Sequence, residues 1–408
     1  MSYILVVNPQ ILSDAGMPMN DVAFATAVSA GIATLVMAFL ANYPFALAPG
    51  MGLNAYFTYG VVQGMGVPYP VALGAVFVEG ALFLALSVGG ARASVLNAIP
   101  LTLKQATTAG IGLFLGVIGF RNAGIVVDNP ATLVGLGDLT DPLVLASLGG
   151  LAVTGVLLAR RVLGALLIGI AVTAAYVWMT GLAPGPTNLM AVPQLPEQTL
   201  AAFEFDLLLQ GKLFSVVLAF LFVDFFDTAG TLVGVGTLGG FVDSRGFLPR
   251  ASRAFSADAI GTMVGATLGT STVTTYIESA TGIEEGGKTG LTALVVAVLF
   301  FLSLWFMPVF TAVPAAATAP ALIAVGALML RGTADIAWGH MDEAIPAFLT
   351  ITVMPFTFSI ANGIAAGVVS HVLLKLLGGD PGAVRPIMYL LAILLIAFYA
   401  AWGSGLTF

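Results

Sequence analysis

The chain has 408 residues, of which 59% are hydrophobic and 8% are charged, and its mean hydropathy is +1.04. Soluble domains contain roughly 25% charged residues, so this composition excludes a soluble fold and predicts that most of the chain lies in lipid. The net charge of -7 excludes a nucleic-acid partner, and the absence of cysteine excludes disulfides and cysteine metal sites. The two histidines, His340 and His371, are too far apart in sequence for a metal site, so we expect neither a metal nor a cofactor.

Apolar runs of about 20 residues, the length that a helical span needs, recur from one end of the chain to the other. They predict an all-α multi-pass membrane protein and exclude an outer-membrane barrel of short alternating strands. In the first half we predict spans near residues 22–42, 44–63, 69–90, 95–120, 143–160 and 162–182. In the second half we predict spans near 213–235, 255–270, 271–283, 289–308, 313–331, 344–359, 361–378 and 387–404. With an apolar segment at 1–12, these make about fourteen or fifteen segments.

A proline-rich, acidic stretch at 183–212 separates two halves, 1–182 and 213–408. Basic residues cluster in two other loops, at Arg160, Arg161, Arg245, Arg250 and Arg253. The positive-inside rule places both of those loops in the cytoplasm and the acidic linker outside. An odd number of crossings then separates the amino terminus from the linker. The halves are therefore predicted to be inverted repeats, with both termini on the cytoplasmic side of the inner membrane.

The third span of each half contains residues that interrupt a helix. Pro49, Gly50 and Gly52 fall inside residues 45–56, and residues 269–278 are rich in β-branched side chains that favour extended backbone. Extended backbone survives in hydrocarbon only where it is paired or lines a cavity. We therefore predict two short strands that pair at the centre, each followed by a half-helix whose positive end faces a ligand. The alternative is a pair of ordinary glycine and proline kinks.

The two halves also share a short motif. Asn97–Pro100 and Glu343–Pro346 each open a later span of their half. This echo adds to the prediction of two repeats.

Acids inside the predicted spans are few, and each costs roughly 2.5–3.5 kcal/mol to insert, so each is a candidate functional residue. They are Glu79, Asp224, Asp227, Asp258 and Glu278. Asp224 and Asp227 are three residues apart and share one helix face, where repulsion and burial favour retaining a proton. We predict proton coupling at this pair and Glu278, against the alternative of a structural polar network. Asp258 is interpreted as an ion pair with Arg253 or a helix cap, and Glu79 as a helix–helix hydrogen bond or a supporting residue.

Three segments carry a family resemblance: APGMGLNAY at 48–56, FVDFFDTAGT at 222–231 and TSTVTTYIES at 270–279. At these positions the chain resembles the nucleobase–cation symporter family, in particular its AzgA-like branch of hypoxanthine, guanine and adenine permeases. Residues 8–12, 122–127 and 344–349 add to the likeness, which covers essentially the whole chain.

The resemblance implies fourteen helices in two inverted repeats of seven, which form a core domain and a gate domain, often as a homodimer. It implies import of a purine base with protons, by an elevator-like movement of the core. The substrate would lie between the third and tenth helices and an acid of the eighth helix. Carried over residue by residue, the site falls on Asn54, Asp224, Asp227 and Glu278, with Thr228 and Tyr276 as weaker candidates.

One departure concerns the first helix, because only seven residues precede Asn8-Pro9. About 11 Å of helix cannot cross a ~30 Å hydrocarbon core. We therefore expect a truncated first helix or a chain start assigned too far downstream.

Other functions remain open. They are a carrier of the same architecture for xanthine, uracil or an anion, and a channel, which would need rings of like residues or a wide polar path. An enzyme would need a nucleophile or metal set, which the sequence lacks.

Overall fold

The computed structural model describes residues 1–88, 100–205, 214–243 and 248–403, which form sixteen α-helices and four short strands. Three features of the sequence analysis fall partly outside these ranges: Asn97–Ile99 of the shared motif, residues 206–212 of the linker, and Arg245.

The first half follows the apolar pattern of the sequence, and its described residues form seven helices and three strands. In chain order they are α1 (Ile4–Ser13), α2 (Met19–Val36), β1 (Leu47–Pro49), α3 (Met51–Ala55), α4 (Tyr69–Val88), α5 (Leu101–Asn122), β2 (Val126–Asn129), β3 (Leu133–Leu136), α6 (Pro142–Ala159) and α7 (Ala165–Met179). Two π-helical segments, Met37–Ala41 and Tyr56–Gln63, continue α2 and α3. Helix α6 begins at Pro142 because Asp141 caps it, accepting from Leu143 N at 2.7 Å.

In the second half, nine helices and one strand lie within the ranges that the structure describes. They are α8 (Phe214–Leu238), α9 (Ala251–Leu268), β4 (Val273–Thr275), α10 (Ser279–Glu284), α11 (Gly290–Ser303), α12 (Met307–Thr311), α13 (Ala315–Met329), α14 (Met341–Thr357), α15 (Ile360–Leu377) and α16 (Pro386–Gly403). Helix α9 ends at Gly269, whose φ of +101° lies in the left-handed region that glycine adopts without strain.

The two predicted strands pair with each other. Strand β1 runs antiparallel to β4, with Ala48 opposite Thr274. Gly50 N donates to the Thr272 carbonyl at 2.9 Å, and Tyr276 N donates to the Ala46 carbonyl at 3.0 Å. The pairing satisfies the inner backbone groups of both extended segments, as hydrocarbon requires. The prediction of a strand pair is confirmed.

Threonine hydroxyls satisfy the outer edges of this two-stranded ribbon. Thr34 of α2 donates to the Leu47 carbonyl at 3.0 Å and accepts from Leu47 N at 2.9 Å. Thr262 of α9 makes the same two bonds, each at 3.1 Å, with Val273. A hydroxyl can donate and accept at once, so each threonine replaces a missing third strand. Leu47 and Val273 occupy equivalent positions about the centre of the ribbon, so each half satisfies the outer edge of its strand with a threonine from a flanking helix.

The helices divide into two groups by packing. The first group contains α1 to α4 with α8 to α11, and the second contains α5 to α7 with α13 to α16. Helices α2 and α9 cross closely in the first group, because a Cβ added to Gly261 would lie 2.6 Å from the Ala33 Cβ. The groups meet where α8 contacts α5 and α15, and where α1 contacts α13.

Eight helices among the described residues are long and apolar enough to cross a membrane, so the chain is a multi-pass helical protein. Their bounds lie within a few residues of the predicted spans. Of the other predicted segments, three fall on short elements, α1, α3 and α10, and two fall on the 18-residue helices α9 and α16. The pattern did not predict the β2–β3 hairpin, in which Val126 pairs with Leu136, because its residues read as a loop.

Candidate functional site

Glu278 lies where β4 passes into α10, immediately before the first helical residue. Its side chain does not cap α10. Instead, its Oε1 accepts a hydrogen bond from the hydroxyl of Tyr3, at the start of α1. The pairing joins residues 275 positions apart in the chain and holds one carboxylate oxygen at the end of the strand pair.

Asp227 of α8 lies beside the same strand. The Thr274 hydroxyl is 3.3 Å from Asp227 Oδ2, and Thr274 lies four residues before Glu278 on the same extended segment. Tyr276, between them on the chain, donates its hydroxyl to the Pro49 carbonyl at 2.5 Å and so ties β4 to β1. The strand pair therefore brings Asp227, Tyr276 and Glu278 into one acidic cluster, whereas the sequence analysis grouped Asp227 with Asp224 and Glu278.

Asp224 faces a different partner. Thr228 Oγ1 lies 3.3 Å from Asp224 Oδ1 and 3.1 Å from Oδ2 of Asp258 on α9, and all three side chains are fully buried. A hydroxyl carries one hydrogen, so it can donate to only one of the two carboxyls. The second hydrogen bond forms only if the other carboxyl is protonated and donates to Thr228. This arrangement can hold one exchangeable proton between α8 and α9.

The interpretation of Asp258 as an ion pair or cap near Arg253 is wrong in this structure. Asp258 lies two turns into α9 and is fully buried against α8. Sequence reasoning misjudged it because the start of α9 was predicted four residues too late, at 255 instead of Ala251. That shift moved Asp258 towards the interface.

Glu79 of α4 is fully buried and lies close to the Asp258 level of α9. A Cβ on the adjacent Gly80 would lie 3.3 Å from the Ala259 carbonyl, and the Phe83 and Phe255 rings are 6.3 Å apart. Helices α4, α8 and α9 pack against one another, and each carries a fully buried acid.

Asn54 lies on α3 at the other end of β4. It is fully buried, and its Oδ1 accepts a hydrogen bond from Ser271, just before the strand. Among the described residues its Nδ2 has no partner, and the same holds for the hydroxyls of Thr272 and Thr275. Buried polar groups are normally satisfied, so these groups can bind a polar ligand or water.

The predicted residues thus fall into three places around the strand pair. The first holds Asp227, Tyr276 and Glu278, the second holds Asp224 and Thr228, and the third holds Asn54. Sequence reasoning missed Tyr3, because a tyrosine in an apolar run gives no signal that separates it from ordinary core residues. The described residues contain no group of acidic or histidine side chains arranged to hold a metal ion.

A cleft of about 870 Å³ opens at the far end of α1, lined by Gln10 and Asp14, by the start of α2 and by linker residues 183–187 and 191–194. None of the predicted site residues lines it. Gln10 also joins the two packing groups, since it donates to the Val313 carbonyl at 2.6 Å.

Helices that cross a bilayer, two of them interrupted around a central strand pair with half-buried acids beside it, are typical of a membrane transport protein. The chain belongs to the xanthine/uracil permease family, described as "Permease family", whose profile matches residues 1–366. It is a permease and not an enzyme.

Named relatives extend this match. The chain is 45% identical to the guanine/hypoxanthine permease PbuO of Bacillus subtilis over 402 residues, 97% of this chain and 93% of that protein. It is 41% identical to the adenine permease AdeP of Escherichia coli over 402 residues, 97% of this chain and 89% of that protein.

Solved structures share the fold at low identity. The transmembrane domain of the cyanobacterial bicarbonate transporter BicA superposes with a TM-score of 0.66 at 15% identity, over 90% of this chain and 95% of that one. Murine Slc26a9, an anion transporter, superposes with a TM-score of 0.67 at 11% identity, over 92% of this chain and 66% of that one.

Proposed function

We propose that this permease imports purine nucleobases by proton symport. The observation that carries the proposal is the acidic cluster of Asp227, Tyr276 and Glu278 at the strand pair. The relatives named above as guanine/hypoxanthine and adenine permeases support a purine as the cargo.

The chemistry of the buried groups suits a purine edge. Ionised carboxylates accept hydrogen bonds from ring N–H and exocyclic amino groups, and the Nδ2 of Asn54 can donate to a ring nitrogen or a carbonyl. Substrate binding is assigned to Asn54, Asp224, Thr228, Tyr276 and Glu278. An anionic cargo is disfavoured, because it would lie beside two acids. The overlap with anion transporters concerns fold alone.

Proton coupling is assigned to Asp224, Asp227 and Glu278. The Thr228 hydroxyl lies between Asp224 and Asp258, and its two hydrogen bonds require one proton on this pair of aspartates. That requirement supports a coupling role for Asp224. Asp258 joins this assignment as the second half of the proton-holding pair.

Alternating access would follow from the two packing groups. We assign the group that holds the β1–β4 pair as the core and the other as the gate, in a fold of fourteen membrane-crossing segments and two inverted repeats. In this elevator scheme the core slides against the gate, and bonds between the groups, such as Gln10 to Val313, must break in each cycle.

Uptake of labelled hypoxanthine by cells that produce the protein tests the proposal directly. Adenine, guanine and hypoxanthine should compete, whereas uracil, xanthine and bicarbonate should not. Collapse of the proton gradient should abolish accumulation. Competition by uracil or xanthine at concentrations equal to the purines would contradict the assignment of the cargo.

A further inference from the structure

Tyr3 lies inside the acidic cluster, although no sequence pattern singles it out. Its side chain is 2% exposed, and its hydroxyl donates to Glu278 Oε1. We propose that Tyr3 is a substrate-positioning residue, whose phenol fixes the Glu278 carboxylate so that Oε2 stays directed at a ring N–H of the base. The inference rests on the proposed function.

The geometry leaves the second oxygen of the carboxylate for a ligand. A carboxylate has two oxygens and about four acceptor positions, and one phenol hydrogen occupies one of them. Tyr276 cannot take over this role, because its hydroxyl is bonded to the Pro49 carbonyl. Thr274 does not take it over, because its hydroxyl faces Asp227. Among the described side chains, Tyr3 is therefore the one that donates a hydrogen bond to the Glu278 carboxylate.

Helix α1 does not need the Tyr3 hydroxyl as an anchor. Asn8 Nδ2 donates to Thr26 Oγ1 at 2.7 Å and to Thr270 Oγ1 at 2.8 Å, which fixes the middle of α1 to the core. At its far end, Tyr59 donates to Asp14 Oδ2 at 2.7 Å. Removal of the Tyr3 hydroxyl should therefore leave α1 in place and release only the carboxylate.

The test uses Tyr3→Phe in purified full-length protein, with Tyr59→Phe as the matched control. Both changes remove one phenol–carboxylate hydrogen bond that involves α1, but only Tyr3 contacts Glu278. Equilibrium binding is measured with hypoxanthine and with its 1-, 7- and 9-methyl analogues. In the unaltered protein, the largest loss of affinity should come from methylation of the ring nitrogen whose N–H donates to Glu278.

In Tyr3→Phe we expect hypoxanthine affinity to fall about tenfold, as for the loss of a hydrogen bond to a charged group. The penalty for the critical methyl analogue should shrink, because the carboxylate is no longer directed at that N–H. Tyr59→Phe should change neither quantity.

Three results would overturn the proposal: unchanged affinity in Tyr3→Phe, an equal loss in Tyr59→Phe, or an equal loss for hypoxanthine and every analogue. Failure of Tyr3→Phe to give folded protein in detergent would make the phenol a structural group and also overturn it. If the unaltered protein binds no purine, the proposed function itself fails. That outcome differs from the one that overturns only the role of Tyr3, in which both the unaltered protein and Tyr3→Phe bind hypoxanthine with the same affinity.

Discussion

Glu278 is the residue whose neutralisation should remove substrate binding. Glu278→Gln keeps the length of the side chain but removes the charge that makes its hydrogen bonds to N–H groups about twice as strong as neutral ones. We expect loss of measurable hypoxanthine binding at every pH tested by equilibrium binding. Glu284→Gln, at the exposed end of the same helix, is the control and should bind normally. Retained affinity in Glu278→Gln would show that the base does not bind at this carboxylate.

The hydrogen bonds of Thr228 to Asp224 and Asp258 should matter more for coupling than for recognition. Asp224→Asn and Thr228→Val remove the shared proton or the hydroxyl that holds it, so exchange of base across vesicles should weaken but persist. Accumulation driven by an imposed proton gradient should be lost. Asp227→Asn should reduce both activities, because Asp227 lies beside Glu278. Full gradient-driven accumulation in the Asp224 and Asp227 variants would exclude a proton site on α8.

At the scale of elements, the strand pair depends on threonines from helices that flank it. Thr262→Val leaves the amide and carbonyl of Val273 without their partner, and each unsatisfied buried group costs about 1–3 kcal/mol. We expect a clear drop in the melting temperature of the purified protein. Thr267→Val removes only a hydroxyl that bonds within its own helix, to Met263, and should have a small effect. Equal melting temperatures for the two variants would show that Thr262 does not support β4.

The element types were largely predictable, but their partners were not. Prolines, glycines and β-branched residues at 45–56 and 269–278 predicted extended backbone, because these residue types disfavour helix locally. The threonines that satisfy its outer edges lie 13 and 11 residues away along the chain. No local pattern marks them, since a threonine within an apolar helix is common.

For the whole molecule, orientation is the first test. The cysteine-free chain allows Leu200→Cys in the linker and Ser252→Cys at the start of α9, both exposed positions. Positive-inside counting predicts that an impermeant maleimide labels position 200 from outside intact cells and position 252 only after the membrane is opened. Labelling of both from the same side would contradict the inverted repeats.

Movement between the two packing groups is the second test. Cysteines at Gln10 and Thr318, whose side chains are hydrogen-bonded between α1 and α13, can be joined by a short bifunctional thiol reagent. The cross-link should stop transport but leave base binding, because it ties core to gate. A cross-link between Ser147 and Ala316, both in the second group, should leave transport intact. Transport that survives the first cross-link would exclude an elevator movement at this contact.

The sequence by itself determined the membrane environment, the approximate spans, the two interrupted helices and the family, because hydropathy and the backbone preferences of proline, glycine and threonine are local properties. Tertiary structure decided which side chains meet. Asp224 and Asp227 are three residues apart on α8, yet the Thr228 hydroxyl joins one to Asp258 while the other lies against Thr274 of β4. Tyr3 reaches Glu278 across 275 positions of the chain. Such pairings follow from how helices pack, and no residue spacing records them.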